Sequence, residues 1–118
     1  MQMTVQECYE NMGSDYESVL GRMGSEGMVK RFALKFLDDP SYANLVKAVE
    51  EQNAEEAFRA AHTLKGICLN LGLDRLYKVS AELTEKLRGK EFNDYEESYQ
   101  AVQKEYQSTT DAIRTMAE

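Results

Sequence analysis

Ala60-Ala61-His62-Thr63-Leu64-Lys65-Gly66 carries the only histidine of the chain, on a segment whose residues favour helix. Alanine, leucine and lysine lose little on entering a helix, and apolar residues recur at threes and fours from Ala57 to Leu71. With the helix run to Gly72 at about 100 degrees per residue, Ala57, Ala60, Leu64 and Leu71 fall roughly 140 to 180 degrees from His62. Such a stripe marks the core-facing side, so His62 points away from the core. On the same projection Phe58, Arg59, Lys65, Gly66 and Leu69 lie within about 60 degrees of His62. One face therefore presents an imidazole, two cations, an apolar residue above and below, and a glycine one turn on.

That face has a chemical reading. A neutral imidazole is a good nucleophile near neutrality because its unperturbed pKa is about 6.5, and a ring nitrogen in water can accept a phosphoryl group. Lys65 then stands where the new negative charge would appear. A mid-helix glycine costs roughly 1 kcal/mol relative to alanine, and close approach of a partner or a phosphoryl group gives Gly66 a reason to be there. A histidine with a lysine three residues on is also what a plain solvated helix face looks like, so the pattern alone leaves both readings open.

The residues His62-Thr63-Leu64-Lys65-Gly66, followed by Asn70-Leu71-Gly72-Leu73, resemble the histidine-containing phosphotransfer (HPt) domains of multistep phosphorelays, whose signature is H-x-x-K-G and then a turn of the N-L-G type. Asp15 to Phe36, with Leu20-Gly21-Arg22-Met23-Gly24, Phe32 and Phe36, also looks like that family's opening. Ile67 and Cys68 depart from the small or hydroxyl residues common after the glycine. Cys68 falls near the core stripe and Ile67 to its side, so both read as packing changes that leave the nucleophile untouched.

At 118 residues the chain is one domain's worth, 1–118, since domains run near about 150 residues. The formal charge of −7 disfavours nucleic acid and anionic membrane surfaces, which select basic faces. Proteins are the expected partners. Cys8 and Cys68 lack CxxC spacing, and with one histidine no zinc set is plausible, so they read as free thiols in a reducing compartment. No signal-peptide core and no membrane-length apolar run is present. A cytoplasmic monomer without a metal site is expected.

Along the chain, Thr4 with Glu7 predicts a capping box for a short helix with Val5, Cys8, Tyr9 and Met12 on one face, ending at Gly13. Ser14-Asp15-Tyr16-Glu17 repeats the capping pattern for a second short helix closing before Gly24. Ser25 caps a third, with Met28, Val29, Phe32, Ala33, Phe36 and Leu37 at helical spacing until Asp38-Asp39-Pro40. Tyr42 to Gln52 carries Leu45, Val46 and Val49. Asn53 with Glu56 starts the histidine helix, and Gly72 ends it. A helix from Asp74 buries Leu76, Val79, Leu83 and Leu87 before Gly89. Asn93 with Glu96 then caps a last helix whose seam is Tyr95, Tyr99, Val102, Tyr106, Thr109, Ile113 and Met116. No strand pattern, repeat or low-complexity linker appears. The fold class is all-α, and short connections favour an up-down antiparallel four-helix bundle with short N-terminal helices packed on it.

The resemblance implies that His62 accepts a phosphoryl group on Nε2 from the aspartyl phosphate of a receiver domain and passes it to a receiver aspartate. Lys65 would steady the phosphoryl charge, Gly66 would permit approach, and Thr84 falls where the family often has a polar side chain hydrogen-bonded near the imidazole. Arg59 is a helper by projection alone. Phe58 and Leu69 are expected as apolar contacts to the receiver. The domain would need no cofactor, Mg²⁺ coming with the receiver; response-regulator receivers and a hybrid sensor kinase are the partners implied. A self-contained kinase is disfavoured, because no Gly-rich phosphate loop is present. A sensor-kinase dimerisation helix would have an acid after the histidine and a proline shortly beyond, whereas Thr63 follows here and Pro40 is the only proline. A helical interaction module without chemistry and the phosphotransfer domain of a chemotaxis-type kinase stay open.

Overall fold

A computed structural model describes residues 4–117; Met1 to Met3 and Glu118, which the single-domain expectation included, lie outside the described residues. Seven helices and no strands occur among the described residues: α1 (Val5–Asn11), α2 (Tyr16–Met23), α3 (Glu26–Phe36), α4 (Ser41–Glu50), α5 (Ala54–Leu71), α6 (Asp74–Lys86) and α7 (Glu96–Arg114). The chain is all-α.

Helix starts follow local hydrogen-bond chemistry. Thr4 and Glu7 form the reciprocal capping box, each satisfying an N–H that a helix N-terminus leaves without a partner. Ser25 and Asn53 accept from the N–H groups of Met28 and Glu56. Two expected caps move. At α2 the capping side chain is Asp15, which accepts from Ser18 N–H, and Ser14 instead accepts from Asp74 N–H across the molecule. At α7 the expected Asn93 cap is not formed: the Asn93 amide donates to Glu91, Asp94 takes a left-handed φ of 52°, and Tyr95 is the N-cap with no side-chain bond. Gly89 likewise does not close α6, which ends at Lys86, while Lys90 (φ 60°), like Asp94, is left-handed in this loop. The α6–α7 connection is thus longer than expected, and its ends are tied by the Lys86–Asp94 ion pair at 3.1 Å.

Helix α5 is the central element, packed on α4 along one side and α6 along the other, with α7 on α6. Its inner positions are Ala57, Ala60, Ala61, Leu64, Cys68 and Leu71, all buried; the three alanines let neighbouring backbones come close, and the larger residues fill the far half. Stacked rings of Tyr42 and Tyr106 at 3.7 Å join α4 to α7. The expected face of α1 is buried in full, Val5, Cys8, Tyr9 and Met12 together. The expected last seam is buried at Val102, Thr109 and Ile113 of α7 and at Met116 in the turn beyond it, whereas Tyr95, Tyr99 and Tyr106 are only half-buried and pack against the core from outside. Val79 of α6 is half-buried, and Ser80 and Thr84 take the inner positions instead. Cys8 and Cys68 are free, buried thiols; burial raises the pKa of both.

The N-terminal helices hold the end of α5. The last carbonyls of a helix lack partners within it, and here three are taken from outside. The fully buried Tyr9 hydroxyl donates to Leu71 O at 2.8 Å, and Arg22 donates to Leu69 O and Asn70 O at 3.3 Å each. A guanidinium there also meets the negative end of the helix dipole. Gly72 turns the chain at φ 69°, and the Leu73 N–H reaches back to Cys68 O at 2.9 Å. A Cβ on Gly72 would overlap the Val19 side chain, so this glycine serves both the turn and the close packing of α2.

Candidate functional site

His62 lies midway along α5 and is exposed, as are Arg59, Thr63 and Leu69; Phe58, Lys65 and Gly66 are half-buried. Phe58, one turn before, is nearly parallel to the imidazole, with centroids 6.0 Å apart and planes 15° apart. The Arg88 guanidinium, from the turn just after α6, lies over the Phe58 ring, 5.5 Å from its centroid. Arg88 is itself held by Glu85, Nε to Oε2 at 2.5 Å and Nη2 to Oε1 at 3.1 Å. This bond from Arg88 holds the Glu85 carboxyl below its ordinary pKa, and the nearby charge of Lys65 pulls in the same direction. Lys65 therefore sits between His62 on its own helix and Glu85 on the next, and among the described residues no ion pair is formed by it.

Arg59 faces elsewhere. Its guanidinium is paired with Glu56 at 2.8 Å and with Glu55 at 3.9 Å, toward the start of α5, because acids three and four residues earlier compete for it. Thr84 requires a correction. It is fully buried, and its hydroxyl donates to Ser80 O at 2.7 Å within α6, a local bond typical of mid-helix threonine. The phase of α6 points this side chain into the core, so it makes no bond to the imidazole. The Ser80 hydroxyl beside it is buried without a hydrogen-bond partner among the described residues.

Gly66 is open: apart from its chain neighbours and the backbone of its own helix turn, no heavy atom lies within 4 Å of where a Cβ would stand. Nothing inside the chain demands a glycine there, in contrast with Gly72. Leu69, a turn beyond Gly66 and 51% exposed, is the large apolar side chain most given to water among the described residues. Next to it in sequence, Asn70 helps line a mainly apolar groove of about 330 Å³ together with Met23, Phe32, Phe36, Ile67 and Leu71, and with Lys35 and Asp39. Phe36 is buried as expected for a core stripe; Phe32 is the half-exposed edge of that stripe. The sequence projection missed Glu85, Arg88, Arg22 and the groove. The Glu85/Arg88 spacing of three was visible as a helix pair, but only the packing of α6 on α5 brings it level with Phe58.

Among the described residues no group of three or more His, Cys, Asp or Glu could hold a metal ion, and no helix is long and apolar enough to cross a membrane. What the face offers is one imidazole standing in water, a lysine beside it, open space over a glycine, and apolar surface on either side.

The class defined by this fold and face is an all-α protein presenting a single histidine from the middle of its central helix. The family model described as Hpt domain matches residues 40–114, α4 through α7, and the chain belongs to that family. Hpt domains carry out histidine phosphotransfer in phosphorelay signalling and interact with receiver domains of response regulators. The matched segment does not include Asp15 to Phe36, on which the sequence resemblance also drew. Comparison with curated proteins and with solved structures gave no match.

Proposed function

We propose that His62 is the phosphoacceptor of a phosphorelay. Its Nε2 attacks the phosphorus of a receiver's aspartyl phosphate; the N–P bond forms as the acyl O–P bond breaks, and the aspartate carboxylate leaves. Return to a receiver aspartate reverses those bond changes. Such transfers depend on positioning and on stabilising the equatorial oxygens. Lys65 supplies the local cation, Gly66 the approach, and the receiver the Mg²⁺, so the domain acts as a carrier with no cofactor of its own. Arg59 is a reserve cation that must leave Glu56 before it can help. Phe58 and Leu69 form the apolar contacts to the receiver. In this reading α4 to α7 form an up-down four-helix bundle that stiffens α5, and the domain works as a cytoplasmic monomer between a donor, such as the receiver of a hybrid sensor kinase, and an acceptor receiver.

The observation that carries the proposal is the placement of the chain's single imidazole opposite the buried stripe of α5, beside Lys65 and open space at Gly66. Incubation with a phosphorylated receiver should yield one acid-labile, base-stable phosphate mapping to His62, and His62→Gln should accept none. Phosphate on another residue, or none from a panel of phosphorylated receivers, would refute it.

A further inference from the structure

An exposed histidine on a helix has several χ1 wells and a broad χ2, yet transfer requires one ring nitrogen aligned with the phosphorus. His62 therefore needs something to fix its plane, and its own helix provides only Phe58. Phe58 is in turn covered by Arg88, which reaches over from the turn that follows α6. A guanidinium is planar and stacks on rings, and a carboxylate gripping it at two points fixes that plane. Glu85 does this through two nitrogens of Arg88. The four side chains stand in one series: Glu85 hydrogen-bonded to Arg88, the Arg88 guanidinium 5.5 Å from the Phe58 centroid, and the Phe58 and His62 rings near parallel with centroids 6.0 Å apart.

We propose that Glu85 and Arg88 are positioning residues for phosphotransfer, acting through Phe58 to hold the plane of the His62 imidazole. The inference rests on the reading of His62 as phosphoacceptor. Stability does not account for the arrangement: the side chains of the pair are 56% and 62% exposed, and ion pairs in water contribute little. A general effect of positive charge does not account for it either, because Arg88 is neutralised by Glu85 and lies over Phe58. What the series supplies is orientation, and lysine at position 88 would keep the charge but lose the planar fork.

The test uses the whole chain with a phosphorylated receiver, recording the transfer rate at saturating receiver and the receiver concentration for half-maximal rate. The ¹³C–¹H signals of the His62 ring in the unphosphorylated protein report the stack separately, through the ring current of Phe58. Misplacement near 1 Å can cost about a hundredfold; a ring freed to turn but still visiting the right plane should lose less, about three- to tenfold. Arg88→Ala, Arg88→Lys and Glu85→Gln are each expected to slow the saturating rate by that factor, leave half-saturation unchanged and move the His62 signals. Because both residues act through one series, Glu85→Gln combined with Arg88→Ala should be no slower than Arg88→Ala alone. Parent-like behaviour of Arg88→Lys would show a role of charge and overturn the inference. So would a rise in half-saturation at constant saturating rate, multiplying effects of the two substitutions, or unmoved His62 signals in Arg88→Ala. If no receiver phosphorylates the parent chain, the phosphorelay reading fails, while the ring signals still decide whether the series holds the imidazole.

Discussion

Gly66 sets stability against function at one position. A glycine inside a helix forfeits up to about 1 kcal/mol relative to alanine, through backbone entropy and poorer shielding. Recovering it requires only that the new methyl group fit, and at Gly66 nothing beyond the chain neighbours and the helix's own backbone lies within 4 Å of the Cβ position. Gly66→Ala should therefore gain close to the full amount, which for a domain of this size raises the melting temperature by about 4 °C. Gly66→Gln should also melt at or above the parent, since glutamine favours helix over glycine and its side chain extends into water. Gly72→Ala is the control: with φ at 69° and a Cβ overlapping Val19, it should lose about 1–3 kcal/mol. Transfer should follow another order. The methyl group of Gly66→Ala is small enough to slow it only modestly, whereas a glutamine one turn from His62 occupies the space of the incoming phosphoryl group and receiver loop, and a displacement near 1 Å costs about a hundredfold. Calorimetric melting and the transfer rate from a phosphorylated receiver, measured on all three variants, decide the matter. Transfer by Gly66→Gln at the parent rate would show that the glycine does not serve approach. A lower melting temperature for Gly66→Ala would show that α5 is packed there after all.

Leu69→Glu should keep the fold, because the side chain is 51% exposed, and should weaken receiver binding about tenfold or more if this leucine is an interface anchor; unchanged affinity by titration calorimetry would place the docking face elsewhere. Thr84→Val should leave the transfer rate at the parent value, since the hydroxyl bonds to Ser80 O inside α6; a marked slowing would mean that this hydroxyl serves the imidazole. Hydrogen bonds from Thr4 to Glu7 and from Arg88 to Glu85 hold both carboxyls below their ordinary pKa. A depressed folded pKa means that the unfolded chain binds protons first, so this stabilisation is present at neutral pH and is lost as pH falls through the carboxylate range. Glu7→Gln should accordingly lose less stability than the parent between neutral and acid pH in urea titrations, and parallel losses would remove the capping box as a source of acid sensitivity.

The helical class, most helix starts and the outward direction of His62 were legible from residue order alone. They depend on interactions within a turn or two of chain: caps at Thr4, Ser25 and Asn53 bond residues three places away, and the stripe from Ala57 to Leu71 is a matter of phase along one helix. The expected signals failed where a loop or a second helix had the deciding contact. Asn93 bonds within its own loop and leaves α7 to start at Glu96, and Ser14 turns to Asp74 instead of capping α2. Counting along the sequence brought Thr84 level with His62, but the packing of α6 and its following turn against α5 buried the Thr84 hydroxyl and brought Arg88, held by Glu85, over Phe58. Likewise nothing local shows that Tyr9 and Arg22, some 47 to 62 residues away in sequence, take the last carbonyls of the histidine helix. The nucleophile is set by the chain's own helical period, whereas the side chains that surround it and hold its helix are chosen by how separate helices pack.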